Sequence, residues 1–172
     1  MKSAFDYTLA HGFDWAGSDP SGWLISEKLR GCRVRWDGAA LWTRYGNRVK
    51  APDSFTASLP LGFPIDAEIW AGRCEVETVA RLATQFGGKH FTQAVRFVAF
   101  DAPDASGGWA ERMAAIPATV EKVAFTVCED REHLLAMLAE VQSAGGEGLV
   151  IRQPDAPYQS GRNPEILKVK HA

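Results

Sequence analysis

The stretch CRVRWDGAALWT, from Cys32 to Thr43, constrains the fold more than any other part of this chain. Its Asp37-Gly38 pair is a turn signal between an alternating run and a partner strand. A strand has a side-chain period of two, so Cys32, Val34 and Trp36 are expected on an inward face and Arg33 and Arg35 on the other. Such a hairpin commits this part of the chain to antiparallel pairing.

The remaining patterns extend that reading. WLISEK before the hairpin is strand-like, and FPIDAEIW with the cysteine-containing segment after it predicts another strand pair. EVETVARLATQFGG has helical spacing and a glycine stop. QAVRFVAFDAP predicts a buried strand ended by Pro103, Trp109–Ile116 a short helix, and KVAFTV a further strand. EDREHLLAMLAEVQSAGG is the clearest helix, with an acidic start, apolar repeats at Leu134, Leu135, Leu138 and Val141, and a glycine stop. GEGLVIR and EILKVK predict two final strands. Residues 1–22, rich in Gly, Asp, Ser and Pro, read as a lead-in arm. The whole is an α+β chain with largely antiparallel sheets, and at 172 residues it is expected to form a single domain.

Composition narrows the function classes. A chain that is 46% hydrophobic and 23% charged has the material for a core, and a formal charge of −2 argues against coating nucleic acid by bulk charge. Cys32, Cys74 and Cys128 form no CxxC pair, so neither a zinc site nor a disulfide framework is expected. His11 and His90 lack metal-ligand spacing, and GGKH at Gly87–His90 is not a phosphate loop. No stretch has the apolar length of a signal core or a membrane span, so the expected location is the cytoplasm.

Several short segments recur in a telling order: SEKLRG at Ser26–Gly31, TRYGN at Thr43–Asn47, IDAEIW at Ile65–Trp70, FVAFD at Phe97–Asp101, GEGLVIR at Gly146–Arg152 and LKVK at Leu167–Lys170. Together they resemble the nucleotidyltransferase motifs of the superfamily of ATP-dependent DNA ligases, RNA ligases and mRNA capping enzymes. The nearest likeness is to the small bacterial ATP-dependent DNA ligases, from about Asp19 to Lys170.

The resemblance implies a nucleotidyltransferase core, ATP-grasp-like, of two antiparallel β-sheets flanked by helices with a cleft for ATP. It makes Lys28 the nucleophile that attacks the α-phosphate of ATP to give lysyl-AMP. Arg33 and Arg44 would face the sugar or the nucleic-acid phosphates. Glu68 and Glu147 stand at the family's two carboxylate positions, one on the ribose hydroxyls and one on the cation, and both are candidate ligands of Mg2+. Phe100 would stack on adenine, with Phe97 as the alternative register, and Ser26 lies where the base is read. Lys168 and Lys170 would stabilise the α-phosphate. The implied partners are ATP and nicked double-stranded DNA, handled by a monomer. The basic run Arg30, Arg33, Arg35, Arg44, Arg48 and Lys50 is then a candidate nucleic-acid face, with a solvated strand surface as the plain alternative.

Departures from the pattern shape the alternatives. Arg30 stands where the family has aspartate; on a strand it would share a side with Lys28 and favour the neutral amine. Ala67 replaces the glycine before Glu68 and would crowd the sugar. An OB-fold domain follows the lysine pair in the family and is absent from this sequence. If the natural protein ends here, adenylation and sealing are expected to be slow; if it is a piece of a longer chain or a minimal form, the core is still expected to bind ATP. The other readings are a degenerate nucleotide- or DNA-binding remnant, and an RNA ligase or capping-type enzyme.

Overall fold

A computed structural model describes residues 8–10, 15–73 and 91–170. The helix expected over EVETVARLATQFGG, Cys74, His11, His90 and GGKH lie outside the described residues. Contacts divide the chain into two compact units. One comprises Arg30–Ser106 and Glu111–Lys122; the other holds the segment ending at Leu29, Gly107–Ala110 and the chain from Val123.

The first unit is built on a sheet of β3 (Cys32–Trp36), β4 (Leu41–Thr43), β5 (Ile65–Trp70) and β6 (Arg96–Asp101), in the order β4-β3-β5-β6 and antiparallel throughout. The expected Asp37-Gly38 hairpin is present. The Asp37 carboxylate accepts from Ala39 N at 2.8 Å, Ala40 N at 2.7 Å and Trp42 Nε1 at 2.6 Å, which turns the chain into β4. β5 pairs with β3 and β6; the cysteine-containing segment expected as its partner is outside the described residues.

Alternation sorts the two faces of this sheet. Val34, Trp36, Ile65, Ala67, Ile69, Phe97 and Ala99 are buried on one. In register, Arg33 opposes Glu68 and Arg35 opposes Asp66, so the other face is charged. A short helix that the sequence did not announce, α1 (Asp53–Thr56), lies between β4 and β5. Helix α2 (Trp109–Ala115) matches its expected position. Its Arg112, 1% exposed, makes a two-pronged ion pair with Asp101 at the end of β6, at 2.7 and 3.2 Å.

The second unit holds the other four-stranded antiparallel sheet, of β2 (Leu24–Glu27), β7 (Phe125–Val127), β8 (Leu149–Arg152) and β10 (Ile166–Val169), in the order β10-β8-β2-β7. Helix α3 (Arg131–Ser143) covers it. Asp130 caps the helix by accepting from His133 N at 2.8 Å, and Gly145, at φ +83°, follows its end. Leu134, Leu138 and Val141 pack with Trp15, Ile25, Leu149, Ile151 and Val169. Each such buried aliphatic side chain contributes roughly 2 kcal/mol, enough to fix the helix on the sheet that carries the site residues below. Within the expected lead-in arm, β1 (Thr8–Ala10) is a strand, pairing in parallel with β9 (Gly161–Asn163). That pairing is long-range and leaves no local signature.

Candidate active site

Lys28 follows directly on β2, and neither it nor Arg30 lies in a strand. The alternation that would put the two side chains on one side therefore does not apply; Arg30 is exposed to solvent. Lys28 is pinned instead by its backbone, whose N–H donates to Gly148 O at 2.8 Å. That bond brings the lysine beside the turn into β8, where Glu147 resides.

The resulting cluster has one carboxylate between two ammonium groups. Lys28 Nζ donates to Glu147 Oε2 at 2.5 Å, and Lys170 Nζ is 2.6 Å from Oε1. Burial pushes the Glu147 carboxyl up, but the hydrogen bonds from Lys170 and Lys28 outweigh it and hold the group below its ordinary range. Gly148, at φ +151°, has no room for a Cβ, which would run into Val169 O. Close approach of β8 to β10 is thus a condition for Lys170 to reach Glu147. Lys168 lies half-buried on β10, opposite Val150.

Ser26 is on β2 in the same unit and is 2% exposed. Its hydroxyl accepts from Arg152 Nη1 at 2.7 Å and donates to Val150 O at 3.5 Å. Arg152 also lies over the Trp109 ring, 4.5 Å from its centroid. Arg152 was not singled out in the sequence, although an arginine ending a run as apolar as LVI is itself a signal that a buried partner awaits it.

In the other unit, Arg33, Glu68 and Phe100 share the charged face. Arg33 Nη2 donates to Asp66 Oδ2 at 2.8 Å, and the guanidinium carbon is 5.1 Å from the Phe100 ring centroid. Phe100 is half-buried on this face, whereas Phe97 is 7% exposed in the core. Asp66, fully buried, is a further member that sequence reading missed. Gly31 admits the start of β3 here, since a Cβ would strike Ile69 O and the Glu68 side chain. The Ala67 methyl points away from Glu68, into the core, at 0% exposure between Val34 and Ala99. It therefore fills the core instead of crowding the face that carries Glu68.

The basic run is divided by the fold. Arg33 and Arg35 are turned toward carboxylates, the latter to Asp104 at 3.6 Å, while Arg30, Arg44, Arg48 and Lys50 are exposed. Among the described residues no group of three or more His, Cys, Asp or Glu side chains is arranged to hold a metal, and no helix is long and apolar enough to cross a membrane.

Residues 110–170 match the family model for the ATP dependent DNA ligase domain. Over 97% of its length the chain is 37% identical to a curated DNA ligase of Haemophilus influenzae, and it spans 64% of that protein. Among solved structures, it is similar to one from a structure–function study of DNA binding with a minimal scaffold by Lig E DNA ligases. The TM-score is 0.82 at 33% identity, over 97% of this chain and 69% of that one. The Chlorella virus DNA ligase-adenylate shares the fold, with a TM-score of 0.78 at 21% identity over 96% of this chain and 67% of that one. Paired four-stranded antiparallel sheets match the nucleotidyltransferase fold of these enzymes, and identity above 30% runs along nearly the whole sequence. The chain belongs to the ATP-dependent DNA ligase family and carries that family's adenylation domain.

Proposed function

We propose that this domain adenylates itself on Lys28 and passes the AMP to the 5′-phosphate of nicked double-stranded DNA, acting as a monomer in the cytoplasm. The observation that carries the reading is the Lys28–Glu147–Lys170 cluster, with both carboxylate oxygens engaged by ammonium groups at 2.5 and 2.6 Å. The Glu147 carboxylate orients the Lys28 amine, and only the neutral amine is a nucleophile. The proton shed as the nitrogen–phosphorus bond forms leaves with pyrophosphate.

The step balances simply. The Lys28 nitrogen forms a bond to the α-phosphorus of ATP while the bond from that phosphorus to the bridging oxygen breaks. Pyrophosphate leaves, and Lys168 and Lys170 offset the charge that develops on the α-phosphate. An oxygen of the DNA 5′-phosphate then displaces Lys28 from AMP, and the adjacent 3′-hydroxyl displaces AMP to close the backbone.

The nucleoside is assigned to the other unit's charged face. Phe100 stacks on adenine, taking the ring face over which Arg33 now lies; Glu68 and Arg33 hold the ribose; and Arg44, exposed beyond β4, takes nucleic-acid phosphate. Magnesium fits this donor set. It is commonly held by one or two carboxylates plus substrate phosphates, so a cluster of three protein ligands is not required. With Glu68 on the ribose, Glu147 is the carboxylate that would hold it together with substrate phosphates, and when bound it would neutralise phosphate charge.

The test uses α-labelled ATP or GTP with magnesium, followed by detection of label that stays on the denatured chain and is stable to alkali but released by acid, as a nitrogen–phosphorus bond requires. Label from ATP that disappears in Lys28→Ala is the expected result. Absence of label while DNA is still bound would sink the reading in favour of a non-catalytic remnant, and label from GTP alone would point to a capping-type enzyme.

A further inference from the structure

The turn beyond β4 has a feature that the adenylation chemistry leaves unused. Thr43 is 3% exposed, and its hydroxyl accepts from Tyr45 N at 3.3 Å and from Asn47 N at 3.2 Å. Backbone bonds close the same turn from Thr43 N to Asn47 O at 2.8 Å and from Gly46 N to Thr43 O at 3.0 Å. Just below, Trp42 and Arg48 form an antiparallel bridge, and Val49 N donates to Leu41 O at 2.9 Å. The turn is held from within.

Its outer surface is different in kind. Arg44, Tyr45, Asn47, Arg48 and Lys50 are all exposed, and Tyr45 is 55% exposed. Cations alone suffice to grip phosphates. A large aromatic ring held outside the core, among three cations, adds affinity for something flat and apolar next to those phosphates, and that is a nucleobase. In a continuous duplex the base faces are covered by their neighbours. They become accessible where the stack is interrupted.

We propose that Tyr45 is a nick-sensing contact, its ring stacking on the base laid open at the break while Arg44, Arg48 and Lys50 hold the flanking phosphates. This rests on the DNA-joining reading above and adds to it a residue that distinguishes broken from continuous DNA. Arg48 and Lys50 contribute charge, which both kinds of duplex share. Tyr45 contributes the difference.

The experiment measures the affinity of the full chain for a nicked and a continuous duplex of the same sequence, by fluorescence anisotropy across a salt series. Tyr45→Ala is expected to weaken binding to the nicked duplex by about tenfold and to the continuous one by less than about twofold, with an unchanged salt slope. Tyr45→Phe retains the ring and should bind like the parent. Tyr45→Lys should bind both duplexes without recovering the nick preference. Arg48→Ala should weaken both alike and lower the salt slope by about 1. Thermal melts of each variant report folding. An unchanged nicked-to-continuous ratio in Tyr45→Ala would overturn the proposal, as would an equal loss on both duplexes. Lysyl-AMP formation by the parent chain is recorded separately. If it fails while a Tyr45-dependent nick preference persists, the adenylation reading falls and the nick-sensing contact stands.

Discussion

Replacing Arg112 with methionine tests how the end of β6 is held in place. Arg112 is 1% exposed and Asp101 is 3% exposed, so the pair is out of water. Arg112 Nε donates to Asp101 Oδ1 at 2.7 Å and Nη2 to Oδ2 at 3.2 Å, and Ala102 N donates to Oδ1 at 2.8 Å. Methionine keeps much of the arginine stem and deletes the guanidinium. Asp101 then loses its cation and keeps the Ala102 N–H. Removing one member of a buried ion pair costs about 3–5 kcal/mol, and the surviving backbone bond favours the lower end. At about 2–4 °C per kcal/mol for a chain of this size, Arg112→Met should melt roughly 6–12 °C below the parent. Urea unfolding should show a lower midpoint with little change in slope. Asp101→Asn combined with Arg112→Met replaces the ion pair with neutral groups and should recover a large part of the loss. A deficit below about 1 kcal/mol in Arg112→Met would refute the argument that this pair anchors β6. Because Phe100 immediately precedes Asp101, the same variant should also weaken ATP binding.

Two other expectations follow from the close contacts at the site. Gly148→Ala places a methyl against Val169 O at a backbone φ of +151°, so it should cost about 1–3 kcal/mol and slow lysyl-AMP formation. Parent-like melting together with parent-like labelling would show that β8 and β10 have slack there. The Cys32 thiol is pushed up to about 11, by burial first and then by the Glu68 charge. A raised thiol stays protonated as pH rises, so at pH 9 its thiolate fraction should be roughly fiftyfold below that of an ordinary cysteine. Peptide mapping after iodoacetamide treatment should find Cys32 labelled slowly at that pH and faster in Glu68→Gln; ordinary reactivity in the parent would contradict the assigned environment.

Much of the architecture was legible because its causes are local. The Asp37-Gly38 turn, the strand alternation of CRVRW, and the cap and apolar spacing of α3 each depend on residues a few positions apart. The same locality explains the misreadings. Alternation was carried past the end of β2, so Arg30 was expected to share a side with Lys28; the strand stops at Glu27. Ala67 was expected to crowd the sugar, yet the period of two puts it on the core face, opposite to Glu68.

The sequence by itself determined the antiparallel α+β class, the main strands, and the ordered motifs that single out Lys28 and its companions. Tertiary structure alone decided what those residues touch. Lys28 and Glu147 are 119 positions apart, and no local pattern says that one carboxylate receives both Lys28 and Lys170. Asp66 beneath Arg33, Arg152 behind Ser26 and the β1–β9 pairing arise in the same way. Turns and periodicity follow from the covalent chain and its neighbours, whereas ion pairs and buried polar contacts depend on strand order and register. Those are fixed only when separated segments pack together and exclude water.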